Sequence, residues 1–297
     1  MKNLLWVIIA FSAYNANSQS IKSNVKLNIT MFLDLSDRIS PKTFPSPPME
    51  IWKRDVANVN TIVDEFANHL MNKRLIAINE IIKVVCNPIP KVNFDINSIL
   101  ALCNIHFDKL NTDLKKIQNL KSIYQNNIQV LYNKTIQLND PILAHGGNPY
   151  TGSDIYGYFK NRVHTDCIEP NHRNILFILT DGYMYSKDNC VTQGKKTSFI
   201  TPDYINKNFN QQNYATKINQ QAYGFIVPTK GLDSLEVYII GVAPQRAWHQ
   251  DVINAYWSKW LKEMGVKNYK NGQCQTCILD NSLPSMQKQI IESIINR

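Results

Sequence analysis

Apolar residues along this chain form two kinds of run, and the two kinds alternate. Unbroken aliphatic and β-branched runs predict buried strands; they lie at residues 25–33, 175–179 and 235–242. Apolar residues that recur every three or four positions predict amphipathic helices; these lie at residues 53–71, 151–162, 252–264 and 283–295. Strands that alternate with helices predict an α/β fold with a doubly wound, mostly parallel central sheet flanked by helices.

Three segments between these runs have less regular patterns. Residues 75–78 and 81–85 are predicted as two short strands, for which a hairpin is one arrangement. Residues 97–136 have helical spacing and are predicted as one long helix or two shorter ones. Residues 186–233 are polar and rich in Asn, Gln and Lys, which predicts a long insertion or extended loop. Long loops inside compact domains usually carry function, so this insertion is a candidate for partner specificity.

The N-terminus has the composition of a secretory signal peptide. Lys2 precedes an apolar run at residues 4–14, and small polar residues follow up to Ser18. The run is shorter than the roughly 20 residues that a membrane-spanning helix needs, although an uncleaved anchor is an alternative. We therefore expect a signal peptide at 1–18, export to the periplasm or medium, and a mature chain without a transmembrane helix.

The distribution of charge bears on the class of partner, and the cysteine content bears on disulfide, redox and zinc chemistry. The formal net charge is +9, but the basic residues are scattered and no basic stripe with interleaved aromatic residues is present, which argues against nucleic-acid binding. In an exported protein, six cysteines predict disulfide bonds without fixing their pairing. Cys274 and Cys277 also allow a redox pair, or a zinc site with Cys167 and Cys190.

The candidate chemistry lies in three short polar segments. Asp34 and Ser36 follow the first predicted strand, Asp181 follows the strand at 175–179, and Thr151 precedes a predicted helix. The carboxyl ends of parallel strands meet at one edge of a sheet, where α/β proteins bind ligands. Carboxylate and hydroxyl oxygens are hard ligands, so the sequence predicts a site for Mg²⁺, or for Mn²⁺ or Ca²⁺.

These segments resemble the three motifs of von Willebrand factor type A (VWA) domains, in the family's order. The matching segments are residues 32–38, 151–154 and 177–182, and the likeness spans residues 25–296. The resemblance implies a non-catalytic adhesion or scaffold module that binds a protein partner through a divalent metal. It implies that Asp34, Ser36 and Thr151 are metal ligands, with Asp181 bound directly or through water. In the family, water or a carboxylate of the partner completes the coordination sphere.

One position departs from the family pattern. Arg38 stands where the first motif usually has a second serine, and a guanidinium cannot ligate a cation. Its charge would weaken metal binding unless the side chain turns away and pairs with an acid such as Asp37 or Asp154. Ser153 or a water is then expected to replace the missing hydroxyl. Tyr183 is a candidate for the rim of the site, and a partly buried loop aromatic is the alternative.

Two other functions remain open on these residues. Asp34 and Asp181 are also similar to the aspartates of haloacid dehalogenase-type, Mg²⁺-dependent phosphatases, in which the first aspartate would be the nucleophile. That chemistry normally uses a second aspartate two residues later, and this chain has Ser36 there. The other alternative is a VWA scaffold whose metal site is degenerate and binds no metal.

Overall fold

A computed structural model describes residues 25–45, 49–73, 77–266, 269–270, 273–274, 277–279 and 284–297. The predicted signal peptide at 1–18 lies outside these residues. The helices of the described chain are α1 (Ile51–Met71), α2 (Ile96–Leu102), α3 (Leu114–Ala144), α4 (Ile155–Asn161), α5 (Val163–Cys167), α6 (Pro202–Asn208), α7 (Tyr214–Gln220), α8 (His249–Met264) and α9 (Pro284–Ile295). Within the described part of the chain, every helix is too short or too polar to cross a bilayer.

A six-stranded sheet forms the centre of the fold. Its strands are β1 (Leu27–Leu33), β2 (Asn79–Val85), β3 (Ile105–Asp108), β4 (Arg173–Leu179), β5 (Leu235–Val242) and β6 (Cys277–Leu279). They lie in the order β6-β5-β4-β1-β2-β3, and all neighbours are parallel except the β2–β3 pair. The fold is therefore α/β with a mostly parallel sheet flanked by helices, compatible with a Rossmann-like arrangement.

The direction of strand order reverses between β1 and β4. From β1 the chain builds the sheet outwards through β2 and β3, and it then returns to place β4 on the other side of β1. The two strands are in register from Leu27↔Arg173 to Leu33↔Leu179, so their carboxyl ends lie side by side. In open α/β sheets the crevice at such a reversal is where ligands bind.

Both faces of the central strands are covered. Along β1, Ile29, Met31 and Leu33 belong to the core on one face, and Phe32 belongs to the core on the other. This alternation follows from the two-residue period of a strand. Helices α1, α3 and α9 supply side chains to the first core, and α4 and α8 supply them to the second. The unbroken apolar runs in the sequence reflect this burial on both faces.

Between residues 75 and 136 one sequence prediction is confirmed and one was wrong. The strand predicted at 81–85 is confirmed as part of β2, which pairs with β1 in parallel. The strand predicted at 75–78 lies partly outside the described residues. The predicted helical segment at 97–136 contains α2, the edge strand β3 and only part of α3, which continues to Ala144. Strand β3 has four residues and pairs antiparallel with β2, so a partner distant in sequence decides its conformation.

The segment at 186–233 is a folded insertion, which agrees with the first of its two predicted forms and corrects the second, an extended loop. It contains α6, α7 and a small sheet of Thr192–Gln193, Lys196–Thr197 and Gly224–Phe225. Sparse apolar side chains fix it onto the second core, and they are fully or almost fully buried: Ile200, Ile205, Phe209, Ile218, Phe225 and Leu232. Short two-stranded pairs also join Gly152–Ser153 to Tyr185–Ser186 and Tyr269–Lys270 to Gln273–Cys274.

An ion pair at the amino end of the sheet connects β4, β5 and α9. Arg173 Nε donates to Glu236 Oε1 at 2.6 Å, and Arg173 Nη2 donates to Glu236 Oε2 at 2.8 Å. The same guanidinium donates to the carbonyls of Ile294 and Ile295 at the end of α9. Burial alone would raise the pKa of Glu236, but the hydrogen bonds and charge of Arg173 outweigh it and hold that pKa below its usual value.

This pair gives a prediction about acid stability. The folded pKa of Glu236 lies below its unfolded value of about 4.3, so its stabilisation is present above that pH and is lost as the pH falls through the folded pKa. Between about pH 4.5 and 3, we expect the free energy of unfolding to fall more steeply for the wild type than for Glu236→Gln. Urea denaturation across this range measures both slopes, and equal slopes would contradict the assignment.

Candidate functional site

The backbone beyond β1 and β4 places two aspartates at the reversal of strand order. Asp34 N donates to the carbonyl of Leu179 at 3.1 Å, and Thr180 N donates to the carbonyl of Ile240 at 3.0 Å. Ala243 N donates to the carbonyl of Asp181 at 3.0 Å. The sheet ladder thus continues for one or two residues past the strands and holds the backbone of Asp34 and Asp181 in the crevice.

The carboxylate of Asp34 is buried and held by local donors. Its Oδ1 accepts a hydrogen bond from Ser36 N at 3.0 Å, and its Oδ2 accepts one from the hydroxyl of Thr180 at 2.7 Å. The residue is only 1% exposed. A buried carboxylate with two fixed donors keeps one orientation, so Asp34 is a rigid component of the site.

Asp181 lies in the same electrostatic environment as Asp34. Its Oδ1 accepts a hydrogen bond from Tyr183 N at 3.0 Å. Burial and the charge of Asp34 raise the pKa of Asp181 to about 7, although Arg38 and the Tyr183 amide act in the opposite direction. Burial and Asp34 also raise the pKa of the neighbouring Asp37. The raised pKa values show that the charged forms of these carboxyls destabilise one another at this edge of the sheet, and an added cation would relieve that repulsion.

Arg38 turns away from solvent, but its acidic partners differ from the prediction. Its Nη2 donates to Asp55 Oδ2 at 2.5 Å and to the carbonyl of Leu179 at 2.7 Å. Its Nε donates to the carbonyl of Asp34 and lies 3.4 Å from Asp34 Oδ2. The predicted pairing with Asp37 or Asp154 was therefore wrong. The buried guanidinium of Arg38 links helix α1 to the carboxyl ends of β1 and β4.

A cavity of about 480 Å³ opens above the two aspartates. The polar residues at its base include Asp34, Ser36, Asp37 and Asp181. Its walls are mostly apolar or aromatic, and they come from the loop after β1, the start of α1, the 183–185 segment and the folded insertion: Phe44, Pro45, Ile51, Tyr183, Met184, Tyr185 and Pro202. This volume is in the usual range for small-ligand sites, which is about 300–1,000 Å³.

The segment with the second motif contributes through its backbone pairing and through Ser153. Gly152 and Ser153 line the cavity, and their strand pairs with Tyr185–Ser186. Ser153 is 4% exposed, and its hydroxyl has no hydrogen-bond partner among the described residues. Thr151 immediately precedes these residues but is not one of the described residues that line the cavity. Asp154 instead caps helix α4, because its Oδ1 accepts from Gly157 N at 2.8 Å.

Comparison with family models, with curated proteins and with solved structures found no significant match to this chain. The function has to be argued from the site itself. Among the described residues, no group of three or more His, Cys, Asp and Glu side chains is arranged to hold a metal ion. A cation at this cavity would therefore depend on hydroxyl oxygens together with the carboxylates.

Tyr183 lines the cavity and connects it to helix α8. Its hydroxyl lies 2.9 Å from His249 Nδ1 and accepts a hydrogen bond from Gln245 N. His249 is fully buried, and its Nε2 lies 3.1 Å from Asn206 Oδ1 on α6. Burial and the charge of Arg246 lower the pKa of His249, which favours the neutral ring. This network fixes the folded insertion against the segment that carries Asp181.

The described cysteines are not part of this site. Cys86, Cys103, Cys167 and Cys190 are free thiols. Burial raises the pKa of Cys86 and Cys103 to about 12, which makes them unreactive. The side chains of Cys274 and Cys277 lie outside the described residues, so a disulfide, a redox pair or a zinc site at those positions stays a prediction.

Sequence reasoning missed two groups that support the site. Thr180 was recognised as part of a motif, but its hydrogen bond to Asp34 was not foreseen. Asp55 neutralises Arg38 from helix α1 and is 1% exposed. A signal for Asp55 was present, because it lies on the apolar stripe of α1 with Val59, Ile62 and Phe66. An acid on an apolar helical face indicates a buried partner of opposite charge.

Proposed function

We propose that this chain is a VWA-type, non-catalytic binding module that holds a divalent cation at the base of its cavity and recognises a protein partner through it. The observation that carries the proposal is the meeting of two mutually repelling carboxylates, Asp34 and Asp181, with the Ser36 hydroxyl on one cavity at the reversal of strand order. A divalent cation is the ligand that relieves this repulsion most effectively.

The residues present fit a hard cation. Asp34, Ser36 and Asp181 offer oxygen donors at the base of the cavity, and the unpartnered hydroxyl of Ser153 offers another. Ser153 replaces the hydroxyl that is lost where Arg38 stands. Thr151, beside Gly152, is the remaining proposed ligand. Mg²⁺ is the proposed ion, with Mn²⁺ and Ca²⁺ as substitutes, and it would supply a positive centre for an oxygen of the partner.

Arg38 does not prevent this function. Its charge is shared between Asp55 and Asp34, and the guanidinium is buried away from the cavity among backbone carbonyls. Asp55 carries part of the charge of Arg38, so the carboxylates of Asp34, Asp37 and Asp181 together still favour an added cation. A partner that supplies a carboxylate fits the positive centre. Export through the N-terminal segment would place the module in the periplasm or medium.

Metal binding is tested by calorimetric titration of Mg²⁺ and Mn²⁺. We expect saturable binding to the wild type and a loss of about 100-fold or more in Asp34→Asn, because even a residue that only positions a ligand is worth about 10–100-fold. Asp64→Asn is the matched control, since Asp64 is exposed on α1 and pairs with Lys121. Equal silence in wild type and Asp34→Asn would overturn the metal site and favour the metal-free scaffold.

An assay of phosphatase activity distinguishes the phosphatase alternative from the binding module. Asp34 Oδ1 and Oδ2 accept bonds from Ser36 N and Thr180, and Ser36 stands where that chemistry uses a second aspartate. We therefore expect no phosphatase turnover with Mg²⁺ on a general phosphomonoester. Turnover that is lost in Asp34→Asn and retained in Asp64→Asn would contradict the binding-module proposal.

A further inference from the structure

The base of the cavity has more negative than positive charge. Asp34, Asp37 and Asp181 line it, and the nearby guanidinium of Arg38 is shared between Asp55, at 2.5 Å, and Asp34, at 3.4 Å. Asp34 is 1% exposed, so water screens its charge poorly. A ligand with positive charge is therefore favoured in this cavity when no metal is bound.

The upper walls favour an apolar or aromatic body. Phe44 and Tyr185 line the cavity and are 37% and 44% exposed, which leaves their rings accessible from solvent. Tyr183, Pro45 and Pro202 line it as well. Aromatic faces near a cation add attraction beyond the burial of apolar area. A small inorganic ion would use the acidic base of the cavity and leave these walls without a ligand.

Ser153 supplies a separate indication of a ligand. Its hydroxyl is buried, has no hydrogen-bond partner among the described residues, and belongs to a residue that lines the cavity. Burying a hydroxyl without a hydrogen-bond partner destabilises the folded protein, and a ligand or water that bonds to the hydroxyl removes this cost. A primary ammonium group has three N–H donors. The site has three residues that can accept hydrogen bonds from them, the carboxylates of Asp34 and Asp181 and the hydroxyl of Ser153.

We propose that this cavity also binds a primary ammonium ion carried on a compact aromatic or apolar body, in the absence of any metal. The ammonium group lies at the acidic base of the cavity, and the body packs against Phe44 and Tyr185. This inference goes beyond the metal-dependent module. The two cations use the same carboxylates, so they exclude each other and an organic amine acts as a competitor of the divalent ion.

Three ligands of matched shape test the proposal. 2-Phenylethylamine, 2-phenylethanol and 3-phenylpropionate carry a positive, a neutral and a negative group on similar bodies. In EDTA at pH 7, we expect calorimetry to show saturable binding of the amine, with the alcohol and the carboxylate at least tenfold weaker. Added Mg²⁺ is expected to weaken binding of the amine. No binding of the amine in EDTA, or binding equal to that of the alcohol, would overturn the proposal.

Variants locate the binding. Ser153→Ala is expected to weaken binding of the amine about tenfold, because a hydrogen bond to a charged group is lost. Tyr185→Ser is expected to weaken binding of the amine several-fold. Ser122→Ala is the control, since Ser122 lies exposed on α3 and bonds only locally. Equal affinity in Ser153→Ala and Ser122→Ala, with both folded, would contradict the assigned site. Titration of Mg²⁺ alone tests the metal separately, so either proposal can fail without the other.

Discussion

Asp55→Ala is expected to destabilise the folded protein by about 3–5 kcal/mol, because it leaves the buried guanidinium of Arg38 without its main counter-charge. Arg38 is 1% exposed, and its Nη2 bonds to Asp55 at 2.5 Å. Tyr132 also donates to Asp55, so its hydroxyl loses an acceptor in the same variant. Urea denaturation at pH 7 measures the loss.

Two further variants separate this effect from a general effect of helix substitution. Asp64→Ala lies on the same helix, where Asp64 and Lys121 form an exposed pair, and we expect a change of about 1 kcal/mol or less. The double variant Arg38→Met with Asp55→Leu removes both charges and is expected to recover most of the stability. A loss below about 1 kcal/mol in Asp55→Ala would show that Arg38 does not depend on this partner.

Loss of Asp55 is also expected to weaken the proposed cation site. In the wild type the charge of Arg38 is divided between Asp55 and Asp34, whose Oδ2 lies 3.4 Å from Arg38 Nε. Without Asp55 the whole charge would act on Asp34, which would then hold any added cation more weakly. Asp55 would therefore support the proposed cation binding, although it does not line the cavity.

Trp260→Ala is the second substitution with a large expected effect, about 3–5 kcal/mol. Trp260 is fully buried on α8, and its ring centroid lies 4.8 Å from that of Phe159 and 5.1 Å from that of Phe225. Its Nε1 donates to the carbonyl of Ile226 at 2.8 Å. Phe225 and Ile226 belong to the insertion, so the substitution removes part of the contact between the insertion and the core, while Tyr256 and Trp257 still pack against Phe225.

A graded series tests this interpretation. Trp260→Phe keeps an aromatic ring but loses the donor to Ile226, and we expect a cost of about 1–2 kcal/mol. Leu110→Ala is the exposed control, at 89% exposure, with an expected change within about 0.5 kcal/mol. Equal stability of wild type and Trp260→Ala would mean that the insertion contributes little to the folded state, contrary to its burial.

The sequence predicted the central strands well and the edge of the sheet poorly. Runs such as 235–242 are apolar at nearly every position because both faces of the strand are covered, and this leaves a local signal. Strand β3 has only four residues between two helices and depends on hydrogen bonds to β2. Such a partner is not visible in a local pattern, so the segment was assigned to a helix.

The insertion at 186–233 shows a similar limit of prediction from local sequence patterns. Its composition is polar, yet buried residues such as Ile205 and Phe209 dock it onto the α8 side of the sheet. Because these residues are few and widely spaced, no helical or strand period stands out. The buried ring of His249, which lies near Tyr183 on one side and Asn206 on the other, adds a polar link that only the folded chain assembles.

The sequence by itself determined the alternation of strands and helices and the positions of Asp34 and Asp181 at strand ends, because burial and strand period are local properties. The tertiary structure decided which charges meet there. It brought Asp55 from helix α1 to Arg38, left the Ser153 hydroxyl without a described partner, and enclosed the acidic base with Phe44 and Tyr185. Contacts between residues distant in sequence depend on how the elements pack, which no local pattern encodes.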